Sequence, residues 1–199
     1  MNDPEARGGA GKLILVGGGA RSGKSRFALG LAETLGKRRR FVATAEALDD
    51  EMSRRIAQHR SERGARYDTV EEPVRLAETL DDCAADGQAD VVLVDCLTLW
   101  VSNLLVRGIV TGDLEAHFDR LDAAVARRRA HLVLVTNEVG MGLVPETPLG
   151  RAFRDAVGRL HQRLSASADE IYFAALGTVL RLRPAPVELA SVPAPSVIG

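Results

Sequence analysis

A glycine-rich octapeptide near the N-terminus constrains this chain more than any other feature. Residues 18–25 read GGARSGKS and match the pattern G-x-x-x-x-G-K-[ST] at every fixed position. The apolar run at residues 13–16 predicts a buried strand before the loop, and the spacing of residues 26–35 predicts a helix after it. In that context the loop's backbone N–H groups point at a phosphate at the helix N-terminus. The alternative, a glycine turn that binds nothing, is disfavoured because both flanking elements lie where the motif needs them.

Two side chains of this loop, and one carboxylate farther along, carry the expected chemistry. Lys24 is expected to reach the β- and γ-phosphates of a nucleoside triphosphate, and the Ser25 hydroxyl to hold Mg²⁺. Asp95 ends the apolar run at residues 91–94, a pattern typical of the carboxylate that holds Mg²⁺ or water in P-loop proteins. The alternative for Asp95 is a strand end that caps the next helix.

Composition excludes several other classes of protein. The 199 residues carry a net charge of −1, so no basic field points to nucleic acid, and no apolar run is long enough for a membrane span. The two cysteines do not make a disulfide framework and indicate a reducing compartment, so we expect a cytoplasmic protein. We expect a single domain over residues 12–183, with a disordered leader at 1–11 and a loose Pro/Ala-rich tail at 184–199.

Strands and helices are predicted to alternate along the whole domain. After the first strand, further strands are expected at residues 41–44, 67–71, 91–95, 131–135, 171–174 and 179–182, the last as an edge strand. After the first helix, helices are expected at 49–63, 73–85, 97–107 and 149–166, with one more ending near residue 129. This alternation predicts an α/β, P-loop NTPase (RecA-like) three-layer sandwich, with a mostly parallel sheet covered by helices on both faces.

Two further features are candidates for function. The segment 136–146 follows a predicted strand and contains glycines, a proline and carboxylates, so we expect it beside the P-loop, at the carboxyl ends of the strands. The alternative is an ordinary strand–helix connection. On the helix 49–63, His59 shares one face with Met52, Ile56 and Arg63. A lone histidine in such a stripe is more often packed than catalytic, so the pattern alone leaves its role open.

Four segments together resemble the bifunctional adenosylcobinamide kinase / adenosylcobinamide-phosphate guanylyltransferase family of cobalamin biosynthesis. They are the loop at 18–26, the stretch 43–60 with ATA and LDDEM, the sequence VTNEVGMGLVPE at 135–146, and residues 153–170. The resemblance implies two reactions. ATP or GTP phosphorylates the aminopropanol hydroxyl of adenosylcobinamide. GTP then donates GMP to adenosylcobinamide phosphate, which releases pyrophosphate and gives adenosylcobinamide-GDP.

The same resemblance assigns roles to residues. It implies a GMP–histidine intermediate, and the matching position is His59. The catalytic candidates are therefore His59, from the resemblance, and Lys24, from the P-loop. A neutral imidazole that attacks the α-phosphate divides one hard transfer into two easier ones. From the chemistry of a carboxylate, and not from the resemblance, Glu71 is expected to accept the N1 and N2 donors of guanine, which would favour GTP over ATP. The resemblance also implies a homotrimer. The expected nucleotide contacts are Gly18, Gly19, Ala20, Arg21, Ser22, Gly23, Lys24, Ser25, Val42, Ala43, Thr44, Arg60, Ser61, Glu62, Arg63, Glu71 and Asp95.

The chain departs from the family pattern at His161, where the resemblance leads us to expect Asn, and its segment 175–178 fits the pattern only loosely. Two other functions stay open at this point. One is a P-loop small-molecule kinase without the guanylyltransferase step, in which His59→Ala leaves all activity intact. The other is a GTP-dependent switch or assembly protein, although the Asn-Lys-x-Asp guanine signature of G-proteins is missing from the sequence.

Overall fold

An eight-stranded sheet forms the centre of the computed structural model, which describes residues 11–47 and 49–190. The strands are β1 (Leu13–Gly18), β2 (Arg39–Ala43), β3 (Asp68–Glu71), β4 (Val91–Asp95), β5 (His131–Val135), β6 (Glu170–Ala175), β7 (Thr178–Arg183) and β8 (Glu188–Ala190). The helices are α1 (Lys24–Leu35), α2 (Asp50–Arg63), α3 (Leu76–Asp86), α4 (Leu97–Val106), α5 (Thr111–Arg127) and α6 (Pro148–Ser167).

The strand order across the sheet is β3-β2-β4-β5-β1-β6-β7-β8. The first six strands of this order pair in parallel, and β7 and β8 are added antiparallel at one side. The predicted mostly parallel α/β fold of a P-loop NTPase is therefore confirmed. One consequence matters for the site: β5 lies between β1, which leads into the P-loop, and β4, which ends at Asp95.

Side chains that alternate along the strands build a core on each face of the sheet. In β1, Leu13 and Leu15 pack into the cluster formed with α3, α4, α5 and α6, whereas Ile14 and Val16 pack into the cluster formed with α1. The period-two alternation of strands explains this division, and burial on both faces explains why the strand sequences are continuously apolar. Trp100, which is 1% exposed, lies in the first of these clusters.

Capping interactions set the bounds of the helices nearest the site. The Asp49 carboxylate accepts the N–H of Met52 at 2.7 Å, so α2 begins at the acidic cluster as predicted, and it ends before Gly64 at φ 56°. The predicted start of α3 at Pro73 is wrong. The Glu72 carboxylate accepts the N–H groups of Val74 and Arg75, which holds a turn in place and delays the helix until Leu76.

Two predictions at the C-terminal end are also wrong. Strand β7 is not an edge strand, because β8 pairs with it on its outer side. Residues 188–190, which form β8, lie in the segment predicted to be a loose tail. Residues 1–10 of the predicted leader and residues 191–199 of the predicted tail lie outside the described part of the chain. Over residues 11–47 and 49–190, no helix is both long and apolar enough to cross a membrane.

Candidate active site

The carboxyl edge of the parallel sheet brings the sequence motifs together. Gly18 is the last residue of β1, Asp95 is the last of β4, Thr44 follows β2, and Thr136 follows β5. These strands are parallel and in register, so their carboxyl ends lie side by side. Ligands of open α/β sheets bind at this edge, which makes it the candidate active site.

The P-loop at residues 18–23 has the backbone of a phosphate-binding turn. Gly18 and Gly23 have φ values of 151° and 92°, and Arg21 lies in the left-handed region at 57°. A Cβ atom at Gly18 would lie 2.5 Å from the Ala174 carbonyl oxygen, so only glycine fits there. Helix α1 begins directly after the loop and directs its N-terminal end, with partial positive charge, at the same place.

Two polar side chains of the loop are drawn inward. Lys24 is 8% exposed, and its Nζ donates a hydrogen bond to the Gly19 carbonyl oxygen at 3.2 Å, so the ammonium lies across the loop. The Ser22 Oγ is buried and has no hydrogen-bond partner in the described part of the chain. A buried hydroxyl of this kind normally has a partner, and a bound phosphate would supply one.

A buried hydroxyl joins the ends of β2 and β4. Thr44 is 0% exposed, and its Oγ1 donates to the Cys96 carbonyl oxygen at 2.7 Å while accepting from the Cys96 N–H at 2.8 Å. Asn103 on α4 supports this joint, since its Nδ2 donates to the Thr44 carbonyl oxygen at 2.8 Å. The position of Asp95, one residue before Cys96, is therefore fixed relative to β2.

The buried Cys96 thiol lies within reach of the charges of Lys24 and Asp95. Burial, together with the Asp95 charge, raises the pKa of this thiol to about 11, although the hydrogen bonds with Thr98 and Leu99 and the Lys24 charge act in the opposite direction. The thiol is therefore neutral at neutral pH, and both charged groups lie near enough to act on it. Its Sγ lies 3.0 Å from the Thr98 hydroxyl at the start of α4.

The loop after β5 contacts the P-loop, as predicted. The Glu138 N–H donates to the Gly18 carbonyl oxygen at 3.0 Å, and the Thr136 N–H donates to Val16 at the same distance. On the other side, the Asn137 Nδ2 donates to the Thr98 hydroxyl at 2.8 Å. Residues 141–144 of this loop expose apolar side chains, and Leu143 is 96% exposed.

Helix α2 and the end of β3 supply the remaining residues predicted from the sequence. Arg60 and Glu71 form an ion pair in which both side chains are exposed, at 63% and 58%. By contrast, Arg63 is 5% exposed and its guanidinium lies 3.8 Å from the centre of the Phe41 ring. His59 lies on α2 directly before Arg60.

Most of the predicted nucleotide contacts fall into two groups. Those at the surface or lining the loop are Gly19, Ala20, Arg21, Ser22, Gly23, Ser25, Arg60, Ser61 and Glu71. Val42, Thr44 and Arg63 lie inside the protein, where Val42 packs in the core and Thr44 makes the joint with Cys96. The sequence analysis did not single out Asn103 or Thr98. The single Asn in the mostly apolar run at 97–106 is the signal that would have indicated the first of these.

The donor atoms of Ser25 and Asp95 suit Mg²⁺. A hydroxyl and a carboxylate are hard oxygen ligands, and Mg²⁺ is usually bound by one or two such groups together with phosphate oxygens and water. Among residues 11–47 and 49–190, no group of three or more His, Cys, Asp or Glu side chains is placed to hold a metal ion.

Comparison with known proteins assigns the family. The family model described as cobinamide kinase / cobinamide phosphate guanyltransferase matches residues 14–182. The chain belongs to this family. The bifunctional adenosylcobalamin biosynthesis protein CobP of Pseudomonas aeruginosa is 42% identical over 176 residues, which cover 87% of this chain and 98% of that protein. The corresponding CobU proteins of Salmonella typhimurium and Escherichia coli are 43% and 40% identical, over 86% of this chain and 99% of each protein.

The crystal structure of the RadB recombinase is a more distant structural neighbour. It has a TM-score of 0.48 and 15% sequence identity, and it covers 93% of this chain and 84% of its own.

Proposed function

We propose that this protein phosphorylates the hydroxyl group of adenosylcobinamide with ATP or GTP, and then transfers GMP from GTP to the resulting phosphate through a GMP–histidine intermediate on His59. The products are adenosylcobinamide-GDP and pyrophosphate. The observation that carries the proposal is the P-loop at the same sheet edge as Asp95, in a chain of the cobinamide kinase / cobinamide phosphate guanyltransferase family.

In the kinase step, the P-loop N–H groups and the N-terminus of α1 hold the phosphates. Lys24 leaves the Gly19 carbonyl oxygen and contacts the β- and γ-phosphates, where it stabilises the charge of the transferred group. Ser25 and Asp95 hold Mg²⁺, which neutralises phosphate charge when it is bound. The acceptor hydroxyl oxygen forms a bond to the γ-phosphorus as the bond from that phosphorus to the β–γ bridging oxygen breaks. The nucleoside diphosphate leaves, and the hydroxyl proton is released to water.

In the guanylyl step, a nitrogen of the neutral His59 imidazole forms a bond to the α-phosphorus of GTP, and pyrophosphate leaves. The phosphate of the acceptor then attacks the same phosphorus, and the N–P bond breaks to release the free imidazole. Helix α2, which carries His59, follows the end of β2 at the candidate active site.

Glu71 is the residue proposed to recognise the guanine base. A carboxylate at this position accepts the N1 and N2 donors of guanine, whereas adenine presents only an acceptor at N1. In the structure Glu71 forms an ion pair with Arg60. When guanine binds, its N1 and N2 donors replace the Arg60 guanidinium as the partner of the Glu71 carboxylate. An exposed ion pair is worth about 0–1 kcal/mol, so this exchange costs little and frees the Arg60 guanidinium for phosphate.

The proposed assembly is a homotrimer in the cytoplasm. Exposed apolar side chains near the site, with Leu143 at 96% and Met141 at 81%, are compatible with contacts between chains. Two free cysteines, both buried, fit a reducing compartment. Light scattering of the purified protein is expected to give three times the chain mass of 21.3 kDa.

The test uses GTP labelled at the α-phosphate, with Mg²⁺ and without corrinoid, followed by denaturation. We expect protein-bound label that is acid-labile and alkali-stable, present in the wild type and absent in His59→Ala. His131→Ala is the matched control, because His131 lies at the amino end of β5, away from the carboxyl ends of the strands that form the candidate site. The His131→Ala variant should retain the label.

The other outcomes distinguish the alternatives. No label, with γ-phosphate still transferred to added adenosylcobinamide, would leave a kinase alone. Neither label nor transfer, with GTP hydrolysis that changes the protein's conformation, would refute the enzyme assignment and favour a nucleotide-dependent switch.

A further inference from the structure

His161 on α6 reaches the loop that follows β5, although neither the sequence pattern nor the proposed reactions give it a role. Its side chain is 17% exposed. Its Nε2 lies 2.7 Å from the Thr136 Oγ1, and its Nδ1 lies 3.6 Å from the Glu138 Oε2. One imidazole therefore contacts two residues of the segment 136–138.

Beyond the strand ladders, the segment 136–138 joins the P-loop strand to the start of α4 by hydrogen bonds. On one side, Thr136 and Glu138 donate their N–H groups to Val16 and Gly18 of β1, each at 3.0 Å. On the other side, the Asn137 amide donates to the Thr98 hydroxyl, three residues after Asp95. The segment is therefore hydrogen-bonded on both sides of the candidate active site.

The Glu138 side chain lies between His161 and the turn at Gly140. Its Oε1 accepts the Gly140 N–H at 2.6 Å, while its Oε2 faces the imidazole. The carboxylate is therefore hydrogen-bonded to the turn at Gly140 and lies beside the imidazole of α6. Burial lowers the pKa of His161, with the Glu138 charge opposing this effect, so the imidazole is neutral at neutral pH.

We propose that His161 is a positioning residue for the kinase reaction: it fixes the segment 136–138 and the turn at Gly140 so that the acceptor hydroxyl meets the γ-phosphate held by the P-loop. This inference rests on the proposed kinase function. His161 acts through Thr136 and Glu138 and does not itself touch the reacting atoms. The part of the reaction that it controls is the alignment of acceptor and nucleotide, and such alignment is sensitive to displacements of about 1 Å.

The variants follow from the geometry of the imidazole. His161→Gln places an amide near the position of Nε2 and retains the short contact with Thr136. His161→Ala removes both contacts. Thr136→Val removes the hydroxyl partner while it keeps the shape of the side chain, and the double variant tests whether the two residues act together.

The assay measures kcat and KM for adenosylcobinamide with γ-labelled nucleotide, together with guanylyl labelling of the same protein in the absence of acceptor. For His161→Ala we expect kcat to fall by about tenfold to a hundredfold, with guanylyl labelling changed by less than about twofold. His161→Gln should retain kcat within about threefold. His161→Ala combined with Thr136→Val should be no worse than His161→Ala alone.

Three results would overturn the inference. Wild-type kcat in His161→Ala would show that the contacts are dispensable. Equal losses of phosphorylation and guanylyl labelling would indicate a general structural role. If His161→Ala does not fold, a stably folded His161→Gln with less than about a tenth of wild-type kcat would show that the contact with Thr136 is not what matters. A wild-type protein that does not phosphorylate adenosylcobinamide would instead refute the proposed function, and the inference with it.

Discussion

The hydroxyl of Thr44 offers the sharpest test of how the site is held together. Thr44→Val keeps the shape of the side chain and removes only the atom that both donates to and accepts from the Cys96 backbone, at 2.7 Å and 2.8 Å. Because Thr44 is 0% exposed, water does not reach the Cys96 groups that lose their partner. The joint between β2 and β4 would therefore carry an unsatisfied Cys96 N–H, whereas the Cys96 carbonyl oxygen would lose one of its two donors and keep the Trp100 N–H at 3.2 Å.

The expected loss of stability follows from these two contacts. Each hydrogen bond contributes about 1 kcal/mol net, and a buried group left without its partner costs about 1–3 kcal/mol, so we expect a total of about 2–4 kcal/mol. In urea unfolding, with a slope of about 2 kcal/mol per molar, the midpoint should move down by about 1–2 M. Thr44→Ser is the matched control. It keeps the hydroxyl and loses one methyl group, so it should cost about 1 kcal/mol.

Activity provides a second readout for the same variants. Since Asp95 precedes Cys96, Thr44→Val should raise the Mg²⁺ concentration needed for half-maximal kinase activity under conditions where the variant is folded, whereas Thr44→Ser should not. The reasoning is refuted if Thr44→Val costs less than about 1 kcal/mol, or if Thr44→Ser is as destabilising. A direct contact of the hydroxyl with nucleotide would instead raise the nucleotide KM without a large change in stability.

Three further predictions concern the P-loop and a buried tyrosine. Lys24→Ala should lower the kinase kcat by about a hundredfold to a thousandfold, while Lys12→Ala, at the opposite end of β1, should leave it unchanged; steady-state kinetics decide. Gly18→Ala should destabilise the fold by at least about 2 kcal/mol in urea, because of its φ of 151° and the lack of space for a Cβ. Gly19→Ala should be tolerated, since nothing lies within 4 Å of a Cβ there, and equal costs would refute this. Burial raises the pKa of Tyr67 to about 12, so the stability it contributes is complete below its ordinary pKa of 10.0 and is lost as pH rises through 12. Unfolding midpoints measured between pH 9 and 12 should fall less in Tyr67→Phe than in the wild type.

Some proposals about the site remain predictions. The covalent role of His59, the reading of guanine by Glu71, and the Mg²⁺ ligands Ser25 and Asp95 come from resemblance and chemistry. For Val42 and Arg63, a side-chain contact with nucleotide would require a rearrangement, since both side chains are buried, one in the core and one against Phe41.

The sequence predicted well the features that depend on residues close together in the chain. The eight residues at 18–25 specify the P-loop, because glycine at fixed positions and a lysine at the helix start are local requirements. Apolar runs and helical spacing predicted the alternation of strands and helices, and hence the parallel sheet. The start of α3 was predicted incorrectly because the Glu72 carboxylate competes locally for the N–H groups of Val74 and Arg75, a contact that the position of Pro73 does not reveal.

The tertiary structure decided which distant residues share one site. The contact between Thr44 and Cys96 spans 52 positions, and the contact between His161 and Thr136 spans 25. Both depend on strand order and on how the helices pack against the sheet, since β5 must lie between β1 and β4 before its loop can bridge them. Local patterns fix periodicity and turns, but side-chain hydrogen bonds between separate segments form only once packing has set the distance between those segments. The sequence therefore predicted where a phosphate binds, and the tertiary structure determined what holds that predicted phosphate site in register with the proposed magnesium carboxylate.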